Sequence, residues 1–123
     1  MLNLNSIMIG SEKPEALAAF YEKVLQKKPD MVEGQWRGFV AGSCFLSIGF
    51  HDKVKEKSKN PERVILNFET KDVGKEFERI KALGATVIAA PYNPDEAQSM
   101  QIATFADPDG NYFQLMPPWD GGK

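Results

Sequence analysis

Between residues 2 and 116 the same order of elements is written twice: a strand, an amphipathic helix, then three short strands. In the first half, residues 2–10 are rich in Leu, Ile and Met and predict a strand. Residues 11–14 predict a helix start, with Ser11 as capping side chain and Pro14 in the first turn, where a missing N–H costs nothing. Leu17, Phe20, Tyr21, Val24 and Leu25 fall on one helical face, and Pro29 is expected to end the helix. Short strands follow around Met31 and Val32, over Trp36–Ala41 and over Cys44–Phe50, with Gly42 and Ser43 as the hairpin turn. In the second half Val64, Leu66 and Phe68 alternate with Ile65, Asn67 and Glu69, the period of a strand. Asp72 is placed to cap a helix whose apolar face is Val73, Phe77, Ile80 and Leu83, and Gly84 stands where a C-terminal glycine belongs. Strands at 85–90 (closed by Pro91), 101–105 and 112–116 complete the half. Asp107-Pro108-Asp109-Gly110-Asn111 is a turn between the last two.

A βαβββ unit used twice implies an α+β fold: two modules, each a curved mixed sheet with a helix on its outer face, around a central cleft. A two-layer sandwich of ferredoxin-like type would write a similar string. The chain has 123 residues, 42% of them hydrophobic, enough for one core and one domain. Module one is expected at about 1–51, a linker at about 52–62, module two at about 63–117 and a tail at 118–123. The formal net charge of -2 argues against a nucleic-acid partner. The lysine-rich stretch from Lys53 to Arg63 is interrupted by Glu56 and Glu62 and reads as a solvated linker. A single cysteine, Cys44, forbids an internal disulfide, and its neighbours Phe45, Leu46 and Ile48 predict a buried thiol. No apolar run approaches the roughly 20 residues that span a bilayer, and no basic segment precedes the first apolar stretch. The expectation is a cytoplasmic protein with no membrane partner.

The string from Ala103 to Leu115, ATFADPDGNYFQL, resembles the closing hairpin of the glyoxalase, bleomycin-resistance and dioxygenase superfamily, the vicinal oxygen chelate proteins. Phe20-Tyr21 followed by Val24-Leu25 resembles the superfamily's first helix, and Ile80 to Gly84 the end of its second. The resemblance covers nearly the whole chain and implies the same fold. In metal-dependent members, four inward-facing strand positions, usually His or Glu, hold a divalent cation. Matching motifs and strand parity puts Ser6, Ser47, Ile65 and Gln114 at those positions. Ile65 has no donor atom and the other three are neutral, whereas transition-metal sites draw on imidazole, thiolate and carboxylate. With one histidine in the chain, no two-histidine site is possible. The expectation is no metal and no cofactor.

Two residues could still do chemistry. His51 shares strand parity with Ser47 and could exchange a proton near neutral pH; it could equally be a solvated residue opening the linker. Glu69 shares parity with Ile65 and Asn67; it could equally be a surface residue at a strand end. No paired acid, phosphate loop or nucleophilic triad accompanies either. Trp36, Tyr92, Met100, Tyr112 and Trp119 are not used by the helix faces, and flat rings hold ligands efficiently. The expected ligand-binding set is Ser6, Trp36, Ser47, Asn67, Tyr112 and Gln114. The first functional reading is a metal-independent protein that binds a small molecule, such as an antibiotic or metabolite. The second is an enzyme of the glyoxalase or dioxygenase class using His51 or Glu69. The third is a non-catalytic structural or regulatory domain. The resemblance also implies a homodimer, to which the apolar tail around Trp119 would contribute.

Overall fold

The computed structural model describes residues 1–94 and 100–118. It falls into two compact units, Met1–Glu56 and Lys57–Lys123. In the first, β1 (Ser6–Ser11) leads into α1 (Pro14–Leu25), followed by β2 (Met31–Glu33), β3 (Trp36–Ala41) and β4 (Cys44–Phe50). The helix carries the chain back so that β1 pairs parallel to β4, while β2, β3 and β4 are antiparallel neighbours, in the order β1-β4-β3-β2. The second unit repeats this: β5 (Leu66–Glu69), α2 (Val73–Ala82), β6 (Thr86–Tyr92), β7 (Ile102–Ala106) and β8 (Tyr112–Met116), in the order β5-β8-β7-β6 with β5 parallel to β8. The expected α+β fold of two βαβββ modules is what the chain forms.

Each unit has its core between helix and sheet. In the first, Leu17, Ala18, Tyr21 and Val24 of α1 are buried, as are Phe39, Leu46 and Ile48 on the strands. In the second, Phe77 of α2 stacks on Phe105 at 5.2 Å, Phe105 on Phe113 at 5.5 Å, and Phe68 meets Phe113 edge-on at 5.8 Å. Aromatic pairs of this geometry add about 0.5–1.5 kcal/mol each beyond the area they bury.

Several local expectations are corrected. Ser11 does not cap α1; its hydroxyl accepts the N–H of Lys13, and the helix begins at Pro14 without a side-chain cap. The helix ends before Pro29, because Gln26 turns left-handed at φ 57°. Val64 lies outside the second module's first strand, which starts at Leu66; at 69% exposure it belongs to no core. Ile65 therefore precedes the paired strand instead of filling a strand position. Strand β6 runs on through Pro91 to Tyr92, with irregular register after Val87, so the proline does not close it. Leu83 is exposed at the end of α2 and Cys44 is only half-buried. Asp72 does cap α2, accepting from the Lys75 N–H at 3.0 Å. Gly110 adopts φ 82° in the tight turn, a conformation that costs a residue with a Cβ about 1 kcal/mol or more. The buried Asp107 carboxylate fastens the same turn by accepting the N–H groups of Asp109 and Asn111.

Candidate functional site: the helix-free faces of the two sheets

Because side chains alternate along a strand and registered partners share a face, the pairing assigns every strand residue to the helix side or the helix-free side of its sheet. In the first unit Arg37, Phe39, Leu46 and Ile48 face α1, and the Arg37 guanidinium reaches Glu15 of that helix at 3.9 Å. The helix-free side then carries Ser6, Met8 and Gly10 on β1, Phe45, Ser47 and Gly49 on β4, Trp36, Gly38 and Val40 on β3, and Met31 and Glu33 on β2. Ser47 lies beside Met8 and Gly38 and is 7% exposed, while Ser6 lies beside Phe45 and is exposed.

Two glycines let aromatic side chains lie down on this face. A Cβ on Gly38 would collide with the ring tip of Phe45 and come within 2.9 Å of Trp36 Cη2. A Cβ on Gly49 would stand 3.0 Å from Trp36 Cδ1 and 3.2 Å from Met8 Cε. Opposite ends of the indole thus occupy the places two side chains would take, so the ring lies along the sheet. Phe45 is beside it, ring centroids 6.0 Å apart and tilted by 33°. Sequence inspection named Trp36 but missed Phe45 and Met8. The signal was available: Gly38 and Gly49 share strand parity with Trp36 and Ser47.

On the second unit the helix-free side carries Asn67 and Glu69 on β5, Tyr112, Gln114 and Met116 on β8, and Ile102, Thr104 and Ala106 on β7. Asn67, Gln114 and Thr104 are direct cross-strand neighbours. The Gln114 Nε2 donates to the Thr104 hydroxyl at 3.2 Å. A hydroxyl both donates and accepts, so this pairing holds for either orientation of the amide. Tyr112 is half-buried, Thr104 buried, and Asn67 and Glu69 exposed. Thr104 was not singled out from the sequence, although counting outward from the Asp107–Asn111 turn pairs it with Gln114.

The expected set therefore divides by unit: Ser6, Trp36 and Ser47 share the first helix-free face, and Asn67, Tyr112 and Gln114 the second. His51 follows β4, its backbone N–H donating to Ser11 O at 3.3 Å. A Cβ on Gly10 would stand 3.0 Å from His51 Cβ, which puts the imidazole at the end of the first helix-free face. Its Nδ1 accepts the Lys53 N–H at 3.1 Å, so the neutral ring carries its proton on Nε2. Glu69 ends β5, beside Met116. Trp119 lies outside the described residues.

The donors on these faces do not suit a transition metal. They are serine, threonine and tyrosine hydroxyls, amides, and one carboxylate on each face, Glu33 in the first unit and Glu69 in the second. Among the described residues no three His, Cys, Asp or Glu side chains come together to hold an ion.

Comparison with known proteins agrees with the topology. No curated protein is significantly similar to the chain. A glyoxalase-related enzyme from Fulvimarina pelagi superposes with a TM-score of 0.76 at 17% identity, over 96% of this chain and 89% of that one. A glyoxalase/bleomycin resistance protein/dioxygenase family enzyme from Burkholderia phytofirmans PsJN superposes with a TM-score of 0.76 at 22% identity, over 94% of this chain and 98% of that one. An integron cassette protein from V. Cholerae gives 0.72 at 19% identity, over 97% of each chain. At these identities the likeness establishes the fold. The model of the glyoxalase-like domain family matches residues 6–116, spanning both βαβββ units. The chain belongs to the glyoxalase-like domain family.

Proposed function

We propose that this protein binds a small organic molecule on its helix-free sheet faces, without a metal ion. The carrying observation is the chemistry of those faces: laid-down aromatic rings on one and registered amides and hydroxyls on the other, with no cluster of His, Cys, Asp or Glu among the described residues to offset the desolvation of a divalent cation. Rings supply contact area with few rotors, and neutral polar groups orient a ligand by hydrogen bonds. A cytoplasmic, homodimeric protein is part of this reading. No helix among the described residues is long and apolar enough to cross a membrane. A dimer is in keeping with the exposed apolar side chains of Leu2, Leu4 and Met8, and light scattering at micromolar concentration tests it.

A thermal-shift screen of metabolites and antibiotics against purified protein tests the function. A true ligand at about a hundredfold excess over its Kd stabilises the native state by about 2.7 kcal/mol. It should be recovered unchanged, with less than stoichiometric zinc, nickel, iron or manganese by elemental analysis. One equivalent of such a metal, lost together with binding on chelation, would overturn the metal-free reading. The second reading is an enzyme, favoured by His51, whose imidazole Nδ1 accepts the Lys53 N–H at the end of the first helix-free face. Conversion of the bound compound, abolished in His51→Gln, would establish it.

A further inference from the structure

We propose that His51 is a proton-operated latch on the segment that leads out of the first unit. With a neutral imidazole the turn at residues 51–54 is held closed; with a protonated one it is released. The latch acts on the chain's own conformation and needs no ligand.

Two hydrogen bonds close the turn, and His51 supplies both acceptors. Its carbonyl accepts the Val54 N–H at 3.1 Å, and its Nδ1 accepts the Lys53 N–H at 3.1 Å. The His51 N–H ties the turn to β1 by donating to the Ser11 carbonyl at 3.3 Å. Gly10 of β1 makes room for this docking. A Cβ there would stand 3.0 Å from His51 Cβ and 3.5 Å from Val54 Cγ2, so both side chains lie where the strand has no side chain of its own. Val54 is half-buried, whereas Asp52, Lys53, Lys55 and Glu56 are exposed. It therefore anchors on β1 the last residues of the first unit, which ends at Glu56.

One atom of the imidazole faces two partners of opposite kind. Nδ1 lies 3.1 Å from a donor, the Lys53 nitrogen, and 3.6 Å from an acceptor, the Asp52 Oδ1. An imidazole nitrogen accepts only while it carries no proton, and in the imidazolium both nitrogens are donors. Protonation of Nδ1 must therefore break the bond to Lys53, and it offers the same atom to the Asp52 carboxylate instead. The two bonds exclude each other. The adjoining strands bring no competing charge: β1 has no ionisable side chain, and β4 has only Cys44, at its opposite end. Glu12 and Lys13, which follow Ser11, are exposed. The charged neighbours of the ring are Asp52 and Lys53 of its own turn. Once the Lys53 bond is gone, a single hydrogen bond holds Val54 in place.

Backbone NMR of the full chain tests the latch, with amide water-exchange rates corrected for the intrinsic effect of pH and with amide relaxation. The titration runs from about pH 8 to about pH 5, the range in which histidine ordinarily changes charge. In wild-type protein the Lys53 amide should lose about three- to tenfold of its protection, the worth of one ordinary hydrogen bond, and residues 52–56 should gain mobility. His51→Asn should abolish the pH dependence with the turn still closed, because an asparagine side chain bonds the N–H two residues on and does not titrate. His51→Ala should leave the turn open at both ends of the range. The amides of β1 and β4 report in the same spectra that each variant is folded, and the wild-type titration needs no variant. Lys53 protection that does not change with pH, an equal fall in His51→Asn, or a His51→Ala turn as protected as wild type at the alkaline end would overturn the proposal.

Discussion

The two sheets share one topology and differ in what they turn away from their helices. Opposite α1 stand Met8, Trp36 and Phe45, laid over Gly38 and Gly49; opposite α2 stand Asn67, Gln114 and Thr104 as cross-strand neighbours, with Tyr112 on the same face. The helix sides differ far less: apart from Arg37 at the margin of the first, both are apolar and closely packed. A strand face pressed against a helix must remove apolar area from water, which restricts its residues. The opposite face is released from that demand and can diverge, in one unit toward aromatic area and in the other toward polar groups. The helix-free faces are therefore where function is to be sought in this chain.

The sharpest way to break the comparison is to invert the assumed parity of β8. Phe113 is fully buried between Phe105 and Phe68, so Phe113→Ala should cost about 3–5 kcal/mol in denaturant melts. Tyr112→Ala, one residue away and half-buried on the other face, should cost less than half as much while weakening ligand binding. Equal losses would mean that Tyr112 is core and that the proposed ligand face falls.

The next largest effect belongs to the glycines of the first face. Gly38→Val puts a branched side chain where Phe45 and Trp36 lie, and overpacking of this kind costs about 1–3 kcal/mol. The near-ultraviolet circular dichroism should change as the rings are lifted. An unaltered spectrum and melting temperature would show that the rings do not rest on the sheet.

On the second face the corresponding test is polar. Gln114→Ala removes the partner of the buried Thr104 hydroxyl, so about 0.5–1.5 kcal/mol of stability should be lost, with a several-fold fall in affinity. Adding Thr104→Val should recover part of the stability and none of the affinity, because the hydroxyl is then no longer left without its bond. A double variant as unstable as the single one would place the loss elsewhere.

The smallest expected effect lies at the margin of the first sheet. Asp30 accepts the Val40 N–H at 2.6 Å and Lys27 donates to the Val40 carbonyl at 2.9 Å, so an ion pair stands in for strand residues at the edge of β3. The Lys27 ammonium, then the Val40 N–H, hold the Asp30 carboxyl below the usual carboxylate range. A carboxylate whose folded pKa is lowered contributes stability above its unfolded value, about 3.9, and loses it as pH falls through the folded one. Asp30→Asn should therefore lower the melting temperature slightly at neutral pH and flatten its fall in acid.

Much of the fold was legible because it rests on local rules. Hydrophobic period, Gly110, Asp72 and the hairpin turn at Gly42 act over a few residues, and the elements appear in the order they predict. Boundaries failed where tertiary pairing overrules propensity: Pro91 stays inside an edge strand, and Val64 is apolar yet outside β5. The site was legible as parity and not as contact. Ser47, Trp36 and Gln114 were assigned to the helix-free sides, but Phe45, Met8 and Thr104 were not seen with them, because neighbours across strands are separated in sequence.

Alternation and turn chemistry, both short-range, determined from the sequence alone that this chain forms two βαβββ modules and which residues turn from the helices. Only the tertiary structure decided the rest. It set Glu33 beside Trp36, joined Gln114 to Thr104, and showed that two glycines make room for an indole lying flat. The reason is physical: a strand's own sequence fixes which way its side chains point, but register and ring orientation depend on which strand lies alongside and how much space it leaves.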